Sequence, residues 1–482
     1  MNYSVVIYIL GWIMEIEAAF LALPGIVSAI YGESGGFAFL WVALGSAVAG
    51  SMIILHKPKN MRFYLREGFV TVALSWILMS VIGCLPFVIN GDIPHFADAL
   101  FEMISGFTTT GATVVSDVEG LTKGSLFWRS FSHWIGGMGV LVFLLAIVPM
   151  AGGSHMNLMK AESPGPSVGK LVPKVRQTAK YLYIIYFTPT MIEAIFLLFG
   201  GMNLFEALTT SFGTAGTGGF AIWNDGFVSV SPYNQWVVTI FMLLFGVNFG
   251  FYFLILTGKL RDALKFEEVR IYFIIVIAAA VFIFINLRHF ALYAPAEGIR
   301  QAFFQVASII TTTGFASADF NLWPETSRTI LVLLMFIGAC AGSTGGGIKV
   351  SRFIIACKSF IKEIISYLHP RSVKKIKIEG KPLEHETLRA TNVYFMTYMV
   401  IFAVSVLLVS IENKDLVTNF AAVAATFNNI GPGLSLVGPM ANFGHFTDFT
   451  KYILMFDMLA GRLEIFPMML LFCPAVWKRR RA

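Results

Sequence analysis

Four short turns, each containing a glycine, recur along this chain of 482 residues, with the sequences FTTTGAT, GTAGTGGF, ITTTGFA and FNNIGPG. They align without gaps when Gly111, Gly218, Gly314 and Gly431 are placed in register. Glycine adopts backbone angles that other residues avoid, so it allows successive carbonyl groups to face the same direction. Rings of backbone carbonyls can replace the hydration shell of K⁺. The turns therefore predict a cation site built from main-chain oxygens.

The side chains around these glycines are mostly Thr, Gly, Ala and Asn, and no carboxylate lies within two residues of any of the four. A pore selective for divalent cations would instead use a ring of carboxylates, so the turns favour a monovalent cation. The residues that we assign to the cation site are Thr109, Thr110, Gly111, Gly216, Thr217, Gly218, Thr312, Thr313, Gly314, Asn429, Ile430 and Gly431.

The composition indicates a membrane protein, since 56% of the residues are hydrophobic, only 13% are charged and the mean hydropathy is +0.74. Soluble proteins carry about 25% charged residues. A helix of about 20 apolar residues spans a bilayer. By this criterion we predict ten spanning helices, near residues 3–30, 36–55, 69–90, 126–151, 180–200, 233–257, 270–288, 326–365, 391–411 and 449–477.

The basic residues give the predicted orientation of these helices. Of the 35 Lys and Arg residues, 27 fall in five clusters, at 57–66, 160–180, 259–270, 349–389 and 478–481. Basic clusters mark cytoplasmic loops, so we expect both termini in the cytoplasm and the net charge of +7 to face lipid headgroups rather than nucleic acid. The predicted outer loops carry more acidic than basic residues, which would concentrate cations there.

The four turns lie in the predicted outer connections, at 91–125, 201–232, 289–325 and 412–448. Each connection begins with an apolar run too short to cross the bilayer, and one motif per period signals an internal repeat. Non-helical backbone at membrane depth must be buried in protein or line an aqueous cavity. We therefore predict an all-α polytopic membrane protein with four pseudo-repeats of helix, pore helix, filter loop and helix around a central pore. The predicted boundaries are 1–67 for two extra N-terminal helices and 68–178, 179–268, 269–388 and 389–482 for the repeats.

The eighth predicted helix is interrupted by GACAGSTGGG at residues 338–347. Each of its five glycines costs a helix about 1 kcal/mol relative to Ala. The interruption follows Gly314 on the cytoplasmic side, and a flexible break that allows tight helix packing is one interpretation of it. Its glycines are Gly338, Gly342, Gly345, Gly346 and Gly347.

Arg462 lies in the middle of the last predicted helix. A charge at that depth is costly, so we expect it to face a cavity or a partner. An ion pair with Asp457 or Glu464 is one alternative, and it is compatible with a position in the pore.

The motifs TTTGAT at 108–113, GTGGF at 216–220, IITTTGFAS at 309–317 and NNIGPGL at 428–434 resemble the TrkH/KtrB family of bacterial potassium-uptake proteins. The resemblance covers nearly the whole chain, and the two extra helices resemble the TrkH branch. It implies channel-like potassium uptake across the bacterial inner membrane, with K⁺ as the transported ion and no organic cofactor. The fourth turn departs from the others by having Asn429 and Ile430 where they have Thr.

The resemblance also implies roles for the interruption and for Arg462. The family has a mobile intramembrane loop at the third repeat that gates the pore, and this loop maps onto residues 338–348. It also has an arginine below the filter that acts as an electrostatic barrier. Family members form homodimers and bind a cytosolic TrkA-type regulatory subunit that senses nucleotides. The basic loops, above all 349–390, would offer that subunit a docking surface.

Two other functions make different predictions about the sequence. A Na⁺- or H⁺-coupled potassium symporter with discontinuous helices would be built from paired, inverted repeats. The fourfold parallel repeat argues against that architecture, while coupling itself stays open. A membrane-embedded enzyme needs a convergent cluster of His, Asp, Glu or Cys, whereas the eight His are scattered along the chain. We therefore predict that the protein is not an enzyme.

Overall fold

The computed structural model describes residues 1–59, 61, 64–139, 175–370 and 375–477. Two helices, Tyr3–Ile30 and Gly36–Leu55, pack against each other ahead of the repeats. The strands in the described part form one small hairpin, in which Lys377–Ile378 pairs antiparallel with Lys381–Pro382. The all-α membrane fold predicted from the sequence is confirmed.

Each repeat consists of a leading helix, a short re-entrant helix, a turn and a trailing helix. The leading helices are Leu65–Asn90, Val175–Phe199, Glu267–His289 and His385–Val409. The re-entrant helices are Phe96–Phe107, Leu204–Gly216, Pro295–Ile310 and Leu416–Phe427. The trailing helices begin with Lys123–Met138, Pro232–Phe245, Glu325–Ile337 and Asp448–Arg462.

The re-entrant helices are 12, 13, 16 and 12 residues long. At about 1.5 Å per residue they are shorter than the roughly 30 Å of a bilayer core, as predicted. Polar caps set where two of them begin. Asn203 and Glu206 form a reciprocal capping box, and Asp415 accepts a hydrogen bond from the Thr418 amide at 3.0 Å. Hydrogen bonds from Thr418 lower the pKa of Asp415, so this carboxylate stays charged at the positive end of its helix.

The trailing helices of repeats 2, 3 and 4 are broken, and two of these breaks differ from the predicted continuous helices. In repeat 2 the helix bends by 89° between Pro232–Phe245 and Phe249–Leu256. Asn248 starts the second piece by accepting a hydrogen bond from the Gly250 amide at 2.7 Å. In repeat 4, Glu464 and Ile465 have left-handed φ angles of 57° and 70°. The single helices predicted at 233–257 and 449–477 are therefore wrong, because hydropathy is continuous across these local breaks.

The fourth repeat continues past its break in two short helices, Phe466–Leu471 and Pro474–Trp477. The third trailing helix resumes at Val350–Leu368, so the predicted interruption at 338–347 is confirmed. Residues 140–151 of the predicted helix 126–151 lie outside the described residues.

Six helices among the described residues are long and apolar enough to cross a membrane, and the bent pair in repeat 2 makes a seventh. The sequence predicts ten. The difference lies in the trailing helices of repeats 1, 3 and 4. The described part of the first is a short helix, and the other two are divided near mid-length.

Candidate cation pathway

The re-entrant helix ends in the same backbone turn in every repeat. Thr109, Thr217, Thr312 and Asn429 have left-handed φ angles of 54°, 54°, 59° and 55°. In each repeat the backbone amide of the residue after this left-handed residue donates a hydrogen bond to the carbonyl five residues before it. These bonds are Thr110 to Ser105 at 2.9 Å, Gly218 to Gly213 at 2.9 Å, Thr313 to Ser308 at 2.9 Å and Ile430 to Ala425 at 2.8 Å. This is the Schellman pattern of helix termination, so the four turns are structurally equivalent.

The equivalence corrects the sequence alignment in repeat 2. In each repeat, a glycine with a positive φ angle comes two residues after the left-handed residue. These glycines are Gly111, Gly219, Gly314 and Gly431, with φ angles of 79°, 76°, 83° and 95°. Gly218, which the alignment placed in register with Gly111, instead matches Thr110. The predicted register is wrong by one residue because the doublet Gly218–Gly219 offers two candidates for one position.

The four turns close into a ring in chain order. A Cβ atom added to Gly111 would lie 2.0 Å from the carbonyl oxygen of Gly218 in repeat 2. An added Cβ atom would likewise lie 2.0 Å from the Thr313 oxygen at Gly219, 1.9 Å from the Ile430 oxygen at Gly314, and 2.7 Å from the Thr110 oxygen at Gly431. Each glycine thus packs against a backbone carbonyl of the next repeat, and repeat 4 returns to repeat 1.

Side chains of the turns are buried, and several of their polar groups are hydrogen-bonded within the protein, whereas the Thr109 hydroxyl has no hydrogen-bond partner among the described residues. The hydroxyl groups of Thr108 and Thr110 lie 2.8 Å apart, and Thr311 and Thr313 repeat this arrangement at 2.8 Å. In repeat 4 the side-chain amide of Asn429 donates a hydrogen bond to the Thr110 hydroxyl at 3.0 Å. The departure of the fourth turn from the Thr pattern therefore supplies a direct bond to repeat 1.

A buried ion pair supports the first turn from outside the ring. Arg129 and Glu102 are 2.8 Å apart, with side chains 2% and 0% exposed. Glu102 also accepts a hydrogen bond from the Val114 amide at 3.0 Å. Arg129 stacks over the ring of Phe220, 4.2 Å from its centroid, so the same pair contacts the turn of repeat 2.

The glycine-rich segment, residues 338–348, lies directly against the ends of two re-entrant helices. The Gly346 amide donates to the Thr312 hydroxyl at 2.6 Å. A Cβ atom at Gly345 would lie 2.8 Å from the Thr311 oxygen, and one at Gly346 would lie 2.6 Å from the Asn428 oxygen. The absence of side chains at Gly345 and Gly346 therefore allows the segment to approach turns 3 and 4.

The same segment fills the bend in the trailing helix of repeat 2. The Cys340 amide donates to the Gly246 carbonyl at 3.0 Å, and the Phe249 amide donates to the Gly342 carbonyl at 2.9 Å. These bonds satisfy backbone groups that the 89° break exposes. The bend and the segment are thus complementary parts of one structure.

Arg462 connects the segment to repeat 1. Its guanidinium donates to the Thr344 carbonyl at 2.8 Å and to the Gly136 carbonyl at 2.6 Å. The two carboxylates considered as its ion-pair partners have other partners: Asp457 accepts from the Ser405 hydroxyl at 2.7 Å, and Glu464 pairs with Arg352. Through Arg462 the segment is bonded to trailing helices of repeats 1 and 4 as well as repeat 2.

Two charged residues that the sequence did not mark as site residues bind the segment. The buried carboxylate of Glu268 accepts hydrogen bonds from the Ala341 amide at 2.7 Å and the Ser351 amide at 3.0 Å. Buried Lys349, whose φ angle is 84°, donates to the Gly345 carbonyl. The sequence signal that points to Glu268 is the pair of adjacent acids, Glu267 and Glu268, at the start of the third leading helix.

A fourfold ring of turns with a glycine-rich segment against it is thus the central feature of the described structure. The family model for TrkH, described as a cation transport protein, matches residues 37–479. The chain belongs to the TrkH family. It is 36% identical to the Trk system potassium uptake protein TrkH of Escherichia coli K12, over 99% of this chain and 100% of that protein. It is 31% identical to the E. coli protein TrkG, over 99% of this chain and 99% of that one.

The fold agrees with a solved structure of this family. The crystal structure of the potassium transporter TrkH from Vibrio parahaemolyticus superposes with a TM-score of 0.87 at 32% identity. The match covers 99% of this chain and 100% of that chain. The chain is therefore a membrane protein of a cation transporter family.

Proposed function

We propose that this protein mediates potassium uptake across the bacterial inner membrane through a channel-like pore formed within one chain. The observation that carries the proposal is the cyclic contact between each glycine and a carbonyl of the next repeat. We expect four equivalent turns in a closed ring to gather main-chain oxygens around one axis, as coordination of K⁺ requires. The relatives named as potassium uptake proteins support the choice of ion.

The filter residues in this proposal follow the structural register. They are Thr109, Thr110 and Gly111, then Thr217, Gly218 and Gly219, then Thr312, Thr313 and Gly314, and finally Asn429, Ile430 and Gly431. Gly216 ends its re-entrant helix and acts through close packing, because a Cβ atom there would lie 2.2 Å from the His133 carbonyl. The C-termini of the re-entrant helices carry partial negative charge, which favours a cation near the ring.

The gate in this proposal is the segment 338–348 together with Arg462. The segment contacts turns 3 and 4 directly, is bonded to repeat 2 and is linked to repeat 1 through Arg462. In this proposal, the polypeptide that these contacts hold against the ring obstructs the route of a hydrated ion. We infer that ion flow requires the segment to leave these contacts, and that Arg462 opposes cation passage while it stays.

Control of this gate would come from a cytosolic TrkA-type nucleotide-binding subunit, and the transporter would act as a homodimer. The helix Val350–Leu368 continues directly from the segment. Its Lys358 pairs with Glu267 and donates to the Lys377 carbonyl at 2.7 Å, which joins the basic hairpin to the helix. A partner bound to the basic region 349–390 would thus be mechanically connected to the gate.

Uptake of labelled Rb⁺ into proteoliposomes tests the proposed ion. We expect unlabelled K⁺ to compete with Rb⁺ at much lower concentration than Na⁺ does. Equal competition by the two ions would contradict a carbonyl filter for K⁺. Empty liposomes and liposomes holding the Gly314→Ser variant provide the controls for leakage and for the filter.

Glu268→Gln is expected to raise basal K⁺ flux several-fold by loosening the bonds of the segment and of the helix that follows it. Bonds to a charged acceptor contribute about 1.5–3 kcal/mol, against roughly 1 kcal/mol for a neutral one. The neutral amide would keep the shape of the side chain but weaken the bonds from Ala341 and Ser351. Flux from proteoliposomes without a partner subunit measures the effect.

Glu267→Gln is the matched control, since Glu267 is the adjacent residue and pairs with Lys358 rather than with the segment. Its basal flux should equal that of the wild type. If Glu268→Gln also left basal flux unchanged in a folded protein, the carboxylate would have no part in closing the segment.

A further inference from the structure

We infer that His133 is a positioning residue for ion selectivity, because it holds the filter turn of repeat 2 against repeat 1. This inference rests on the proposed function of the ring. His133 lies in the trailing helix of repeat 1, is 0% exposed and has no part in the filter or gate described above. Its imidazole joins backbone groups of two different repeats.

Both ring nitrogens of His133 have backbone partners. Nδ1 lies 2.8 Å from the carbonyl oxygen of Gly106, in the re-entrant helix of repeat 1. Nε2 accepts a hydrogen bond from the Phe220 amide of repeat 2 at 3.2 Å. A carbonyl requires a donor and an amide requires an acceptor, so these partners assign a neutral ring with its proton on Nδ1. The imidazole is therefore a directional link between the repeats.

The ring also explains why repeat 2 departs from the other three. A Cβ atom at Gly218 would lie 2.1 Å from Cγ and 2.2 Å from Nδ1 of His133. The equivalent positions in the other turns carry the side chains of Thr110, Thr313 and Ile430. In repeat 2 the space beside the turn is thus filled by the imidazole of another repeat. His133 and Gly218 form a complementary pair.

The link acts next to the carbonyls that close the ring. The Gly218 oxygen is the one that faces Gly111, and Gly219 faces the Thr313 oxygen. Phe220, which follows, is fixed by its amide bond to His133 and by ring contact at 4.3 Å between centroids. Loss of the imidazole would free one side of the ring while leaving the other three turns unchanged. Selectivity depends on the number and arrangement of carbonyls, so it should fall before folding does.

The test compares two variants of His133 in proteoliposomes that report K⁺ and Na⁺ flux. His133→Leu fills similar space without hydrogen bonds and is expected to lower the K⁺/Na⁺ flux ratio at least tenfold. His133→Gln offers both a donor and an acceptor and should keep most of the ratio. Equal ratios for the wild type and His133→Leu would overturn the inference. A low ratio in both variants would likewise show that the hydrogen bonds are not what matters.

A paired substitution tests the complementarity directly and does not depend on His133→Leu folding well. Gly218→Thr alone should abolish K⁺ flux, because the new side chain overlaps the imidazole. Adding His133→Ala to Gly218→Thr should restore measurable flux, as the turn then matches those of repeats 1 and 3. Full flux in Gly218→Thr alone, or no recovery in the double variant, would contradict the pairing.

The wild-type protein in the same assay distinguishes a failure of the proposed function from a failure of the role of His133. If the wild type shows no preference for K⁺, the proposed function fails. If the wild type prefers K⁺ and His133→Leu prefers it equally, only the role of His133 fails.

Discussion

Gly314→Ser is expected to lower the discrimination between K⁺ and Na⁺ at least tenfold. Gly314 has a φ angle of 83°, and a left-handed backbone costs other residues about 1–2 kcal/mol. A Cβ atom there would also lie 1.9 Å from the Ile430 carbonyl oxygen. That oxygen belongs to the ring, so the substitution displaces a proposed K⁺ ligand. Flux ratios for the two ions in proteoliposomes measure the change.

Gly91→Ser is the matched control for backbone strain. Gly91 has nearly the same φ angle, 82°, but no neighbouring atom lies within 4 Å of an added Cβ. It ends the leading helix of repeat 1 and lies outside the ring. We expect Gly91→Ser to keep wild-type selectivity. Unchanged selectivity in a folded Gly314→Ser protein would contradict the filter assignment.

Arg462→Ala is expected to raise basal K⁺ flux by roughly thirtyfold. The guanidinium of Arg462 donates to the Thr344 and Gly136 carbonyls and so links the segment to repeat 1, and the substitution removes this charged donor. Bonds to charged groups contribute about 2 kcal/mol, and each 1.4 kcal/mol changes a population ratio by about tenfold. Removal of the guanidinium also removes a positive charge from the proposed route of the cation. Basal flux without a regulatory subunit measures the effect.

Arg462→Lys separates the two contributions of the arginine. Lysine keeps the positive charge but lacks the planar fork that reaches two carbonyls at once. Flux near the wild-type level would assign the barrier to charge, and flux near that of Arg462→Ala would assign it to the hydrogen bonds. Arg328→Ala, in an outer pair with Glu325, should behave as the wild type. Basal flux of Arg462→Ala at or below the wild-type level would exclude Arg462 from the closed gate.

Much of the fold is predictable from the sequence because its signals are local. Apolar length identifies the leading helices, and the short apolar runs before the glycines identify the re-entrant helices. The interruption at 338–347 is readable because five glycines disfavour a helix over one short stretch. The recurrence of one motif in four places predicts the ring, since equivalent turns in equivalent repeats meet around a common axis.

The remaining features depend on contacts between distant segments. The register of repeat 2 is hidden because Gly218 and Gly219 are adjacent, and the imidazole that requires Gly218 lies in another repeat. The break at Glu464 and Ile465 contains neither glycine nor proline itself, and its local sequence signals are Gly461 before it and Pro467 in the first turn of the helix that follows. Glu268 resembles an ordinary interfacial acid until the structure brings Ala341 and Ser351 to its carboxylate.

The most direct test of the central claim is K⁺ flux into proteoliposomes that contain this chain alone, under an imposed inside-negative potential. No Na⁺ or H⁺ gradient is supplied. A channel-like carbonyl pore predicts that the potential drives K⁺ entry and that Na⁺ enters much more slowly. If the closed gate limits the wild type, K⁺ flux should be higher in Arg462→Ala. Flux of both proteins only when a Na⁺ or H⁺ gradient is added would contradict the pore and establish a coupled symporter.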